Sequence, residues 1–355
     1  MEQKKFRKIG ILTSGGDAPG MNAAVKSVTC SALARGVEVV GVIGGYAGLI
    51  NENLKPLTYQ DVSDIVSRGG TAIYSARCNE FKYEEGMQKA IATCKKNNID
   101  GLICIGGDGT FRGATDLSIR GIPCIGIPGT IDNDITATDY TIGYDTAMNT
   151  VVRLGDQLRE TSESHSRCVV IEVMGRDAGY IAIETGLALG AVGVALIEIP
   201  FDKEALFAKM KKLRAQGQQS FVVVVAEGMG TAFAEALVKE IEENTGVETR
   251  FVRPAHIVRG GTPTLRDRSL ASVMGDKAVD LLLEGKSDVV ICSRHDKIIP
   301  TDIKWALIVD RMFKNKLKDG DLDAFSVEEI EKMKALCAER RDYFDDMYDI
   351  MLTIG

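Results

Sequence analysis

The sequence predicts an α/β protein of two Rossmann-like lobes, each with a mostly parallel sheet and helices on both faces. Three observations carry this expectation. Short apolar runs alternate with helix-periodic segments along most of the chain, the pattern of repeated βαβ units. Several of those runs end in glycine with Asp, Thr or Arg, where open parallel sheets place their ligand loops. A chain of 355 residues exceeds the usual size of one domain, so two lobes are expected.

Hydrophobic residues make up 45% of the chain and charged residues 26%, enough apolar material for a sizeable core. The net charge of −7 argues against broad electrostatic binding of nucleic acid or an anionic membrane. Anionic small substrates stay possible wherever arginines cluster. No apolar run approaches the ~20 residues of a membrane span. The basic N-terminus leads straight into a strand and lacks the form of a signal peptide. Cys104, Cys124 and Cys168 sit inside apolar strands, and no Cys-x-x-Cys pair exists. Neither a zinc site nor a disulfide framework is indicated. The expectation is a cytoplasmic protein with no nucleic-acid and no membrane partner.

In chain order, Lys8–Thr13 is an apolar strand that ends in Ser14-Gly15-Gly16-Asp17-Ala18-Pro19-Gly20. A helix then spans Met21–Arg35, with Gly36 after its end. Strand, glycine loop and helix form the phosphate-cradling arrangement, in which backbone N–H groups and a helix N-terminus face an anion. The loop is neither the dinucleotide fingerprint nor a Walker A loop, and a generic βα turn remains the plain alternative. Val37–Ile43 is the next strand. Arg68-Gly69-Gly70-Thr71 and Ser75-Ala76-Arg77 follow, either as a flexible loop or as the device that brings a guanidinium to a phosphate. Tyr83–Lys96 is helical. The strand Asp100–Ile105 ends in Gly106-Gly107-Asp108-Gly109-Thr110, where Asp108 is the hard-oxygen type of ligand that Mg²⁺ takes. Cys124–Ile127 runs into Pro128-Gly129, which is expected to turn the chain sharply, and then Thr130-Ile131-Asp132-Asn133-Asp134. In isolation that stretch reads equally as an Asx-rich turn or as a site. One carboxylate could accept a substrate proton while its neighbour handles a metal or an orienting bond.

The second lobe starts near Thr141, with helices over 143–164, 178–190, 203–215 and 231–244. Its strands are Cys168–Val173, Gly193–Ile199 and Phe221–Ala226. Strand ends supply Met174-Gly175-Arg176 and Glu227, and Arg167, Arg250, Arg253, His256 and Arg259 lie close in sequence. Arginines suit bidentate recognition of phosphate, and a carboxylate such as Glu227 can hold sugar hydroxyls. As a set they point to a phosphorylated-sugar pocket. Asp267–Glu284 is a helix, Asp288–Ile291 a strand, and Ser326-Val-Glu-Glu329 a capping box opening a charge-rich last helix.

At these residues the chain resembles the bacterial ATP-dependent 6-phosphofructokinases. The matching stretches are LTSGGDAPGMNAA (12–24), GGDGT (106–110), PGTIDND (128–134), VMGR (173–176) and HIVRGG (256–261). The resemblance implies the phosphofructokinase fold, with an ATP/Mg-binding lobe of residues 1–140 and about 256–306 and a fructose 6-phosphate-binding lobe of 141–255 and about 307–355. It implies Gly16, Arg77, Cys78, Gly107, Asp108, Gly109 and Thr110 at the ATP site, with Asp108 on Mg²⁺. Thr130, Ile131 and Asp132 would meet fructose 6-phosphate, Asp132 as base, with Thr130 and Arg176 also catalytic. Met174, Gly175, Arg176, Glu227, His256, Ile257, Val258 and Arg259 would bind the sugar phosphate. Arg167 and Arg250 would reach it from a neighbouring subunit of a homotetramer.

The resemblance also bears on the phosphoryl donor. Pyrophosphate-using relatives carry Asp where Gly109 stands and Lys where Gly129 stands, so two glycines imply ATP. A pyrophosphate-dependent phosphotransferase is the alternative, and a non-catalytic sugar-phosphate sensor a more remote one. Where the family's effector site has basic residues, this chain has Lys26, Cys30, Tyr59, Gln216 and Gln218, with Lys26 and Arg159 keeping charge. Weak ADP activation and weak phosphoenolpyruvate inhibition follow as expectations.

Overall fold

The computed structural model describes residues 6–355, which divide into two compact units. The first holds residues up to Ile131, Ile135–Thr146 and Arg259–Leu336; the second holds Asp132–Asp134, Ala147–Val258 and Cys337–Gly355.

The first unit contains β1 (Lys8–Ser14), α1 (Met21–Ala34), β2 (Glu38–Val42), α2 (Gly45–Ile50), β3 (Leu54–Pro56), α3 (Glu84–Lys96), β4 (Gly101–Gly106), α4 (Asp108–Ile119) and β5 (Cys124–Pro128). After α5 (Tyr144–His165), whose first turn belongs here, the second unit adds β6 (Cys168–Val173), α6 (Tyr180–Ala188), β7 (Gly193–Ala195), α7 (Lys203–Ala215), β8 (Phe221–Ala226), α8 (Thr231–Thr245) and β9 (Thr249–Val252). The chain then returns to the first unit with α9 (Leu265–Leu283), β10 (Val289–Arg294), β11 (Lys297–Asp302) and α10 (Ile303–Phe313). It ends in α11 (Val327–Ile354), which passes into the second unit.

The seven strands of the first unit run in the order β11-β10-β5-β4-β1-β2-β3, parallel except for the edge strands β3 and β11. Strands buried on both faces read as continuous apolar runs, and β1 and β4 do so. Large and small side chains interlock between layers: a Cβ on Gly126 would meet the Phe111 ring, and one on Gly10 would meet Leu102. In the second unit the order is β7-β8-β6-β9, all parallel. Phe207, Met210, Phe221, Leu237 and Ile241 pack α7 and α8 against that sheet.

Several elements depart from expectation. The strand expected over Gly193–Ile199 stops at Ala195, because β7 is an edge strand paired only with β8 and the chain beyond it turns away. The hairpin of β10 and β11 turns through His295 and Asp296, both at positive φ, a two-residue turn without the glycine that usually announces it. Residues 307–336, expected with the second lobe, belong to the first unit. There α10 packs on α4, and Asp310 accepts from the Thr136 hydroxyl at 2.9 Å.

Candidate active site

In the first sheet the chain leaves β1 for β2 on one side and reaches β4 on the other, so β1 and β4 form the topological switch point where open α/β sheets bind ligands. The three loops singled out from sequence follow β1, β4 and β5, which are adjacent strands. Their backbones touch. Thr110 donates its hydroxyl to the Ser14 carbonyl at 3.1 Å, and Gly129 donates its amide to the Gly106 carbonyl at 3.0 Å. A Cβ on Gly106 would strike Ser14 and Thr110, so close approach requires that glycine. Gly20 and Gly107 stand as N-caps of α1 and α4 with no side-chain cap. The Met21 amide bonds the Ala18 carbonyl at 3.1 Å and the Thr110 amide the Gly107 carbonyl at 3.0 Å, so it is the Asp108 and Gly109 amides at the mouth of α4 that face a site for an anion. Nothing lies within 4 Å of a Cβ built on Gly107 or Gly109, so the mouth of α4 is open.

The glycine-rich stretch 68–78 is held in place. Buried Asn22 donates to the Arg68 carbonyl at 2.9 Å and accepts from the Ala72 amide at 2.6 Å. Thr13 bonds Thr71, and Ser75 donates to the Gly15 carbonyl at 2.6 Å. Arg77 is thereby presented exposed, with Cys78 half-buried behind it. Arg259, expected with the sugar-phosphate set, places its guanidinium against Gly16 and donates to the Asp17 carbonyl at 3.3 Å.

Pro128-Gly129 does not turn the chain. Gly129 continues the strand through a parallel bridge to Ile142, held by the Ile142 amide on the Pro128 carbonyl at 2.9 Å. The turn comes at Ile131 and Asp132, with Asn133 at positive φ. Gly129 is small for a packing reason: a Cβ there would press on Ile105 and Met21 at 3.1 Å. Thr130 and Ile131 are buried, and the Thr130 carbonyl accepts from the Thr141 hydroxyl at 2.6 Å.

In the second unit, Asp132 is 1% exposed and lies 3.3 Å from Nε of half-exposed Arg176. Arg176 follows β6 in the left-handed region, at φ +52°. Glu227, at the end of the adjacent β8, accepts from the Gly175 amide at 3.2 Å and the Arg176 amide at 2.6 Å. One of its carboxylate oxygens therefore shapes the loop that begins at half-buried Met174. His256 and Ile257 are exposed in a short 3-10 turn over Ala255–Arg259, and Val258 is buried beneath them.

Arg167 and Arg250 lie at the other end of the same sheet. The pairing of Val169 with Arg250 brings them together around Glu248, which accepts from Arg167 Nε at 2.7 Å and also from Arg250. The hydrogen bond from Arg167 holds the Glu248 carboxyl below its ordinary range. The six residues of β6 separate this pair from Met174–Arg176, a span of about 20 Å.

Asp267 is a neighbour of the candidate site that sequence reading missed. Fully buried in the first unit, it accepts from the amides of Gly143 and Thr146 at 2.8 Å and packs against Gly20 at the entrance of α1. The available signal was Thr264-Leu-Arg-Asp267, a cap-box-like spacing in which Thr264 caps α9. Burial pushes its carboxyl up to about 6, against the pull of those donors. A folded-state value above the unfolded one means that this group adds stability below pH ~4 and that the addition is lost as pH rises through ~6. Asp267→Asn, which turns an amide toward two N–H donors, is expected to lower Tm by a few degrees at pH 7 and by more at pH 5. Thermal melts at both pH values check this, and a gap that narrows at pH 5 would contradict it.

Among the described residues, no three His, Cys, Asp or Glu side chains gather as a metal site, and no helix is long and apolar enough to cross a membrane.

A glycine-lined helix N-terminus at a sheet switch point in one unit, and in the other an arginine at a strand end paired with the buried Asp132, are features of α/β proteins that handle phosphorylated ligands. Residues 8–282 match the model of the phosphofructokinase family. The chain is 51% identical over 312 residues to the ATP-dependent 6-phosphofructokinase 1 of Clostridium perfringens, which covers 88% of this chain and 97% of that one. It is 49% identical over 298 residues to the ATP-dependent 6-phosphofructokinase of Bacillus subtilis, covering 84% and 93%. The solved structure of phosphofructokinase from Saccharomyces cerevisiae matches with a TM-score of 0.82 at 31% identity, over 93% of this chain and 50% of the yeast chain. This chain thus spans half the length of that one. It belongs to the phosphofructokinase family.

Proposed function

We propose that this chain transfers the γ-phosphoryl group of ATP to the 1-hydroxyl of fructose 6-phosphate, a glycolytic step that yields fructose 1,6-bisphosphate and ADP. The observation that carries the proposal is the pair of buried Asp132 and Arg176 at 3.3 Å. Asp132 takes the proton of the attacking hydroxyl, whose oxygen bonds to the γ-phosphorus as the bond to the β-phosphate oxygen breaks. Once protonated, Asp132 no longer neutralises Arg176, whose charge is then available to the phosphoryl group in flight. Thr130 helps seat the hydroxyl. Met174, Gly175, Glu227, His256, Ile257 and Val258 form the sugar-phosphate side, with Arg259 next to the phosphate loop.

ATP would lie on Gly16, Gly107, Gly109 and Thr110, with Arg77 and Cys78 beside it. Asp108 opens α4, partly exposed and paired with Arg112 at 2.7 Å. One carboxylate among open glycines fits Mg²⁺, which keeps waters and takes phosphate oxygens alongside one or two protein ligands. When bound, the ion supplies neutralisation of charge on the phosphate oxygens. Product formation from fructose 6-phosphate, with ATP and pyrophosphate compared side by side, tests the reading. Activity with ATP alone supports it, activity with pyrophosphate alone overturns the donor, and silence with both overturns the function. In the same assay ADP and phosphoenolpyruvate are expected to have little effect, because few cations remain at the effector positions.

A cytoplasmic homotetramer with shared sites completes the proposal. Arg167 and Arg250 flank the opposite end of β6 from Arg176, so they cannot serve the same sugar phosphate as Arg176 of their own chain. Mixing an Asp132→Ala variant with an Arg250→Ala variant, under conditions where subunits exchange, is expected to restore part of the activity that each lacks. Exchange without recovery would show that sites are not shared.

A further inference from the structure

The turn that carries Arg176 is held at both ends by carboxylates that follow β8 and β7. Its residues run Gly175-Arg176-Asp177-Ala178, closed by the Ala178 amide on the Gly175 carbonyl at 3.0 Å. Glu227, just past β8, takes the amides of Gly175 and Arg176. Glu198, three residues past β7, takes the amide of Gly179 at 2.8 Å, and its second carboxylate oxygen fills the place where a Gly179 Cβ would stand. The order β7-β8-β6 puts both carboxylates along one edge of the sheet, with the turn across it. The contacts continue between the loops. A Cβ on Gly228 would meet Ile197 at 2.9 Å and the Arg176 carbonyl at 2.7 Å, so the backbone of Arg176 is pressed directly onto the loop after β8.

We propose that Glu198 is a positioning residue for Arg176: by holding the Gly179 amide it fixes the far end of the turn and so aims the guanidinium at Asp132. A left-handed conformation is costly for a non-glycine residue and persists only where the surroundings over-determine it. Glu227 restrains one side of Arg176, and Glu198 supplies the other. The arrangement is itself costly. Among the described residues the second oxygen of Glu198 is buried with no well-formed hydrogen bond, and burial raises its carboxyl above the ordinary range against the pull of the Gly179, Glu198 and Ile197 amides. The plain alternative is that Glu198 serves only the N-terminus of α6, for which Gly179 is the cap residue.

The inference rests on the phosphoryl-transfer role of Arg176, and a double-mutant cycle in kcat separates it from the alternative. Glu198→Ala is expected to lower kcat about tenfold or more with little change in the KM for ATP. Glu198→Gln, which keeps an acceptor for Gly179, should restore most of it. In an Arg176→Ala background the Glu198→Ala change should cost almost nothing further, because the residue it positions is gone. Full additivity, or a lowered Tm with unchanged kcat, would overturn the proposal. If Glu198→Ala does not fold, Glu198→Asp, one methylene short of the amide, serves in the same cycle with a loss of several-fold. Amide hydrogen exchange gives a readout that needs no turnover: Arg176 and Gly179 should exchange about tenfold faster in the variant, with core amides of β6 unchanged. Should the parent show no transfer to fructose 6-phosphate, the functional reading fails, and unchanged exchange at Arg176 would separately remove the clamp.

Discussion

Asp132→Ala is expected to lower kcat by about three orders of magnitude, with KM for fructose 6-phosphate and for ATP shifting by no more than a few-fold. A positioned general base contributes its effect as the proton leaves, so the loss falls on turnover and not on ground-state binding. Asp132→Asn sharpens the test, since it keeps the size of the side chain and removes the basicity. Its activity should fall nearly as far. The folded state tolerates the loss on the arginine side, because Arg176 is half-exposed and stays solvated without its carboxylate. Steady-state kinetics on a variant with a native-like melting curve are decisive. Turnover near that of the parent would remove Asp132 from the mechanism and leave the ion pair a structural one.

Gly109→Asp is expected to lower kcat/KM for ATP by about a hundredfold or more without lowering stability. The two halves of this expectation have separate causes. Open space surrounds the Cβ position of Gly109 at the start of α4, so the new side chain collides with nothing. An acidic residue in a first helical turn is favourable toward the helix dipole. Toward a polyphosphate at the same N-terminus the added charge is repulsive, by about 4 kcal/mol for unit charges 4 Å apart at an effective dielectric of 20. Gly129 offers no equivalent test. Its Cβ direction leads into Ile105 and Met21, so substitution there mixes a packing change with any effect on the donor. A Gly109→Asp variant with full ATP activity would place the nucleotide elsewhere than the mouth of α4.

Much of the candidate site was legible because its proposed residues lie at strand ends, where a period change and a glycine coincide in sequence. The loops after β1, β4 and β5 could be located residue by residue, and so could Arg176 and Glu227 after β6 and β8. Less legible was anything set by a partner far away in the chain. Asn22 holding 68–72, Asp267 holding Gly143 and Thr146, and Glu198 holding Gly179 are polar side chains whose importance comes from the backbone amides or carbonyls they satisfy. Glycine and proline also misled. Pro128-Gly129 has the composition of a turn, yet its peptide groups are claimed by Gly106 and Ile142, and those bonds keep it extended.

The sequence by itself determined the α/β class, the course of most helices and strands, and the strand-end loops of the candidate site. These depend on local periodicity and on residues that carry their chemistry with them. Only the tertiary structure decided the strand orders, the assignment of 307–336 to the first unit, and the separation of Arg167 and Arg250 from Arg176 by the length of β6. It also decided that Arg259 lies on the glycine loop after β1 and that Glu227 and Glu198 hold one turn between them. Each of these is a pairing across long stretches of chain, selected by which buried donors and acceptors could all be satisfied together, and no local window of sequence contains that condition.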